Sequence, residues 1–220
     1  MAIPDARNLI VLLALVLTAA APHAFPEPPK SRAAALESLA SPDAATRAEA
    51  VVWIANLGGM DDARLLHERL RDESGLVRSY AEQGLWLLWS RSGDAAIDAL
   101  MVEGGEAMQA GRHDEAVRKF TSVIKAKPQF AEGWNKRATA YYLGGEYRKS
   151  IADCNEVLRR NPGHFGALSG MGQIYTRLEQ YEQALQWFRR ALEVNPNMVG
   201  VEMNIEQVKN LLKEKQGKTI

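Results

Sequence analysis

An all-α fold, a solenoid of antiparallel helical hairpins, follows from three observations on the 220-residue sequence. Pro128, Pro162 and Pro196 recur at a spacing of 34 residues. The apolar residues ahead of each proline keep helical i, i+3, i+4, i+7 spacing, as in Tyr181, Ala184, Leu185, Phe188, Ala191 and Leu192. Small and large residues also hold fixed phases within the period. Gly104, Ala138 and Gly172 fill one slot, and Phe120, Cys154 and Phe188 another. Ala116, Ser150 and Ala184 share a third phase, Val123, Val157 and Ala191 a fourth, and Ala107, Tyr141 and Tyr175 a fifth. A small residue on the first helix of a pair lets the second approach, and a phenyl ring fills the space between them. The proline then ends the second helix, because it lacks the N–H that the preceding turn needs.

The N-terminus carries its own signal. Arg7 precedes an apolar stretch from Leu9 to Ala21, thirteen residues long. A spanning helix needs about 20 residues, whereas the apolar core of a secretory signal needs roughly 7–15. Residues 1–24 therefore read as a signal peptide, cleaved after Ala20 or Ala24, with an uncleaved anchor as the alternative. Cys154 is the only cysteine, so no cysteine follows the apolar stretch to take a lipid, and no intramolecular disulfide or Cys-rich zinc site is possible. The expectation is an exported protein, periplasmic or extracellular in a bacterium, without stable membrane insertion after cleavage. Residues 25–30, rich in proline, form a short linker.

Residues 31–92 hold a weaker repetition. Arg47, Ala50, Ile54 and Leu57 recur 31 residues later as Arg78, Ala81, Leu85 and Leu88, with Asp43 and Asp72 ahead of them. Helices are expected at 32–40, 44–57, 61–71 and 75–91, broken by Gly58-Gly59 and Ser92-Gly93. At the other end, Val201, Ile205, Val208, Leu211 and Leu212 stripe a terminal helix over Val199–Lys215, expected to cap the array.

The period-34 set over 97–197, fullest at Trp134, Ala138, Tyr141, Ser150, Cys154, Val157 and Pro162, resembles the tetratricopeptide repeat. The pattern over 31–92 resembles HEAT-type hairpins, in which an acidic turn residue and an arginine form a polar ladder. The combined resemblance implies a right-handed solenoid: HEAT-like hairpins over 31–92, three tetratricopeptide repeats over 93–197, and a capping helix with tail over 198–220. The segments 131–138 and 164–170 are also similar to small exported bacterial proteins of this family. One branch of the family clamps chaperone C-termini with a basic and amide set. Met101, Gly105, Gly166 and Gly170 occupy most of the places that set would need, so chaperone docking is not implied.

Composition narrows the function classes. Twenty-seven Lys and Arg balance 27 Asp and Glu, so no net field draws the chain to nucleic acid or anionic lipid. His23, His67, His113 and His164 show no metal-ligand spacing, and His113 and His164 fall near turns, where a solvated residue is expected. The glycines of 166–172 fit neither a phosphate loop nor a nucleophile elbow. Paired charges such as Glu156 with Arg159 and Arg160 read as solvated helix faces. No catalytic residue, metal or cofactor is expected, and the chain reads as a non-enzyme.

In stacked hairpins the first helix of each repeat lines the concave face. The tetratricopeptide register places Met101, Gly105, Met108 and Gln109 there in the first repeat. Asn135, Thr139 and Tyr142 follow in the second, and Ser169, Gln173, Thr176 and Arg177 in the third. This polar groove suits an extended peptide or a helix of a partner protein. The expected function is an exported interaction module or adaptor. The alternative is a structural or oligomerising cell-envelope assembly factor, which would use the N-terminal hairpins or the terminal helix, with Trp89 and Trp187 as anchors.

Overall fold

The computed structural model describes residues 28–217; the expected signal peptide and residues 25–27 of the expected linker lie outside them. Among the described residues the chain forms eleven α-helices and one 3-10 turn, with no strand. It divides into two compact units, Met1–Leu88 and Trp89–Ile220.

The first unit contains α1 (Arg32–Ser38), α2 (Ala44–Leu57), the 3-10 turn Met60–Asp62, α3 (Ala63–Arg69) and α4 (Gly75–Ser90), whose last two residues belong to the second unit. Ser31 and Asp43 cap α1 and α2 by accepting from the backbone N–H groups of Ala34 and Thr46. Val51, Ile54, Leu66, Leu70, Val77 and Leu85 are fully buried and form the apolar interior. Through that interior runs a charged tie. Arg47 grips Asp72 in a two-pronged pair, Nε to Oδ2 at 2.9 Å and Nη2 to Oδ1 at 2.8 Å, with both side chains buried. Its Nη1 also donates to the carbonyls of Ser41 and Pro42, and Arg78 repeats this geometry on the carbonyls of Asp72 and Glu73. The ladder expected from the sequence is present, but its acid is Asp72; Asp43 is spent on the α2 cap.

The second unit continues with α5 (Ala95–Gln109), α6 (His113–Ala126), α7 (Ala131–Leu143), α8 (Tyr147–Arg160), α9 (Phe165–Arg177), α10 (Tyr181–Val194) and α11 (Val199–Gly217). Three hairpins, α5/α6, α7/α8 and α9/α10, pack in succession, and α11 covers the last. Each second helix stops two residues before its proline. Lys127, Asn161 and Asn195, the residues preceding the prolines, have φ of -138, -138 and -125° and ψ of 76, 86 and 99°. The proline ring clashes with a helical predecessor, so these residues leave the α region. Within each hairpin the chain reverses through a left-handed residue, Gly111, Gly145 and then Glu179, again 34 apart.

Helix separation inside each hairpin is set by one contact. A Cβ added to Gly104 would lie 2.5 Å from Cε1 of Phe120, and one added to Gly172 would lie 2.5 Å from the ring of Phe188. Both rings are fully buried, each contributing about 2–3 kcal/mol of hydrophobic stabilisation. In the middle hairpin Ala138 and Cys154 hold the equivalent places within one apolar cluster. One period beyond Gly172 the small slot holds Glu206, which is exposed and paired with Lys209 at 2.6 Å. A carboxylate there meets water and a lysine, where the earlier slots meet the second helix of their hairpin.

Gly172→Ala is expected to destabilise the protein by about 1–3 kcal/mol through overpacking against Phe188. Gly105→Ala, where an added Cβ meets nothing within 4 Å, should be neutral or stabilising by up to about 1 kcal/mol; urea denaturation of the two variants checks the contrast. In the first unit, Arg47→Leu should cost about 3 kcal/mol by leaving buried Asp72 with only Arg69, at 3.7 Å, and the Ser74 N–H. Adding Asp72→Leu should recover most of that loss, again read by urea denaturation.

Candidate functional site

Asn135, Thr139 and Tyr142 lie on α7 at i, i+4 and i+7, so they share one face; Ser169, Gln173 and Thr176 repeat that spacing on α9. The structure brings most of them together. Tyr142, Gln173, Thr176 and Arg177 line an open groove of about 490 Å3. Arg177 Nε donates to the Tyr142 hydroxyl at 3.2 Å, bridging successive repeats. Asn135, Thr139, Tyr142 and Gln173 are among the residues lining a smaller pit of about 70 Å3. Tyr142 and Gln173 border both spaces.

Several expected roles change. Ser169 is only 7% exposed and lines neither space, so burial on its face of α9 removes it from the candidate set. Thr139 donates its hydroxyl to the Asn135 carbonyl and Thr176 donates to the Gly172 carbonyl, so both bond back to their own helix. Asn135 commits an amide proton to Glu132 at 3.1 Å. Met101 and Met108 pack on the apolar clusters of the first hairpin and border neither space.

The far wall of the groove was missing from the sequence reading. It comes from α11, through Asn204, Gln207, Val208 and Leu211. The signal was there: one further period after Thr139 and Gln173 is Gln207, and one after Arg177 is Leu211. The terminal helix is a cap and a groove wall together. At the same end Lys215 Nζ donates to the Glu179 carbonyl at 3.1 Å and approaches its carboxylate at 3.8 Å. Among the groove-lining charges, Glu179 is thus compensated while the Arg177 guanidinium faces a hydroxyl.

The second unit also holds a buried polar cluster built on His164, which the sequence placed at a solvated turn. His164 is fully buried, not solvated, and stacks on Trp89 with ring centroids 4.3 Å apart. Its Nδ1 accepts from the backbone N–H of Ala167 at 3.0 Å and so caps α9. That bond leaves the proton on Nε2, which donates to Oε2 of buried Glu132 at 3.2 Å. Burial pushes the Glu132 carboxyl up. The His164 hydrogen bond, the Lys136 charge and the Asn135 amide outweigh it and hold the group below its ordinary value. On the opposite side of α7, Arg137 forms a two-pronged pair with buried Asp153 at 2.7 and 2.8 Å. Arg160, expected to be solvated, lies over the Trp134 ring at 4.5 Å and donates to the Pro128 carbonyl. Cys154 is buried, as its phenylalanine register suggested, and burial pushes its thiol up to about 12. A thiol so protonated is a packing group, not a nucleophile.

Among the described residues no group of three or more His, Cys, Asp or Glu could hold a metal ion, and no helix is long and apolar enough to cross a membrane. Because the folded Glu132 carboxyl titrates below its unfolded value of about 4.3, its contribution is complete above that pH. It is lost as pH falls through the lower folded value. Glu132→Gln should lower stability by about 1–2 kcal/mol at pH 7 and flatten the loss below about pH 4.3, measured by chemical denaturation from pH 7 to pH 3.

The geometry has counterparts in known proteins. Residues 102–164 and 166–198 match the tetratricopeptide repeat family. A TPR repeat-containing protein of Rhizobium etli is 36% identical over 129 residues, covering 59% of this chain and 61% of that one. DnaJ homolog subfamily C member 3 of Rattus norvegicus is 29% identical over 124 residues, 54% of this chain but only 25% of that protein. This chain thus spans less than two thirds of the one relative and a quarter of the other. Among solved structures, the first TPR of Spaghetti (RPAP3) bound to an HSP90 peptide, SRMEEVD, superposes with a TM-score of 0.51 at 25% identity, covering 53% of this chain and 93% of that one. The Sgt2 TPR domain from Aspergillus fumigatus gives 0.53 at 22% identity, covering 56% and 83%. Gly104, Ala138 and Gly172, which set the spacing of the hairpins, fall within the residues that match the tetratricopeptide repeat, so the second unit of this chain carries tetratricopeptide repeats.

Proposed function

We propose that this chain is a non-enzymatic, exported adaptor that holds an extended segment of a partner protein in the groove between α7, α9 and α11. The observation that carries the reading is the groove of about 490 Å3, walled by Tyr142, Gln173, Asn204 and Gln207 with Arg177 at its side. Amide side chains can donate to and accept from an extended backbone. Arg177 can pair with a carboxylate through the donors it does not use on Tyr142. The Spaghetti domain was solved with a peptide, which supports the same use of the repeat fold here. Chaperone tails are not part of the proposal, because Gly166 and Gly170 supply no side chain to grip one. Export rests on the apolar stretch from Leu9 to Ala21.

The assembly-factor alternative loses one of its anchors. Trp89 is buried against His164 and Phe165, and Trp187 is half-buried beneath Arg190 at 4.2 Å. Photocrosslinking in cells from position 173, followed by fractionation, tests the adaptor reading. Adducts should appear in the exported fraction and fall at least about 10-fold in Arg177→Glu, the loss of one charge-assisted contact of about 1.4 kcal/mol or more, with the melting temperature unchanged. Adduct yields unaffected by that substitution would place the partner on another surface.

A further inference from the structure

The second repeat departs from its neighbours at the helix–helix contact, and the departure leaves a hole. The first and third hairpins pair Gly104 with Phe120 and Gly172 with Phe188. The second pairs Ala138 with Cys154, about four heavy atoms fewer, which leaves a cavity wherever neighbours do not collapse into it. A pit of about 70 Å3 opens at that place, walled by Ala138, Cys154 and Ile174 and by the α9 backbone at Gly166 and Gly170. The Gly170 wall is bare: a Cβ there would have Cys154 Sγ as its nearest neighbour, at 4.0 Å.

The chemistry of the pit restricts what can enter. Ser150 spends its hydroxyl on the Ala138 carbonyl at 2.7 Å, and the Cys154 thiol is neutral. Asn135, Thr139, Tyr142 and Gln173 add uncharged polar lining, and Tyr142 and Gln173 also border the larger groove. About 70 Å3 is half the roughly 150 Å3 of a cavity that holds benzene. A short branched aliphatic group fits and an aromatic ring does not. A charged group would lose its hydration without a partner.

We propose that this pit is the specificity pocket of the groove and takes one valine-sized aliphatic side chain of an extended peptide. The inference rests on the adaptor reading and adds to it the class of peptide selected.

Two variants narrow the pit without disturbing the repeat. Gly170→Ala adds a methyl at ordinary contact distance in a helix interior. Ala138→Gly with Cys154→Phe rebuilds the pair found in the other two hairpins. The probe is a positional-scanning set of fluorescein-labelled octapeptides, each pool fixing one position as Gly, Ala, Val, Leu or Phe, with binding to the purified full chain read by anisotropy. Each buried methylene strengthens binding roughly fourfold, so at one position Val pools should bind at least about 10-fold more tightly than Gly pools, and Phe pools should also be weak. Both variants should fold with wild-type helicity, bind peptide, and lose that preference. Binding without aliphatic preference, or a preference that survives in both variants, overturns the pocket while crosslinking from position 173 still reports on the groove. If no pool binds although crosslinking captures a partner, the pocket is overturned and the groove stands; failure of the crosslinking overturns both.

Discussion

The steric reciprocity between a small residue on the first helix of each hairpin and a larger one on the second governs the C-terminal unit. Where Gly104 and Gly172 stand, no side chain fits, because Phe120 and Phe188 already occupy the space a Cβ would take. Interiors are packed like crystals, so the pairs are exchangeable only in compensating fashion, glycine with phenylalanine or alanine with cysteine. The close approach that results positions Tyr142, Gln173 and Arg177 along the edge of one groove. Depth, spacing and polarity of that groove are downstream of helix separation.

Apolar complementarity sets distance, and buried polar pairs add direction. Glu132 and Trp89 come from two different helices and His164 from the cap of a third, and His164 uses both ring nitrogens, one as a helix cap and one toward the carboxylate. Arg137 meets Asp153 from the neighbouring helix and also reaches Thr121 at 3.0 Å. Such pairs carry a desolvation cost that tempers their net stabilisation. Their geometric demands are nevertheless strict, since sliding a helix by one turn would strand a charge. Arg47 with Asp72 does the equivalent in the first unit.

The helical architecture was legible because its signals are local and periodic. Prolines, apolar spacing and capping aspartates act within a few residues of the backbone they control, so 44–57 was read at its observed ends and 75–91 to within one residue. The candidate site was legible only in part. Gln173 and Arg177 line the groove as their register implies, because register alone determines which way they face. Ser169 and His164 were misread because burial depends on what packs over a residue, which spacing does not encode. His164 is the sharper case: a polar residue next to a turn is solvated by default, and only Glu132, 32 positions away, and the Trp89 ring make its burial affordable. The α11 wall was overlooked for another reason. The apolar stripe of that helix marks a cap, whereas the wall is made largely by Asn204 and Gln207, which stand off that stripe.

The register of α11 bears on how such a chain could have grown. Each joint in the second unit repeats the same geometry at 34-residue intervals, and α11 occupies the register of one more first helix. A duplicated block entering ahead of α11 would present the surface α10 offers now and find the surface α11 offers now. Repeat number is therefore not dictated by the supply of apolar area. Copying units upstream of α11 would lengthen the groove and leave its α11 wall of Asn204, Gln207 and Leu211 in place.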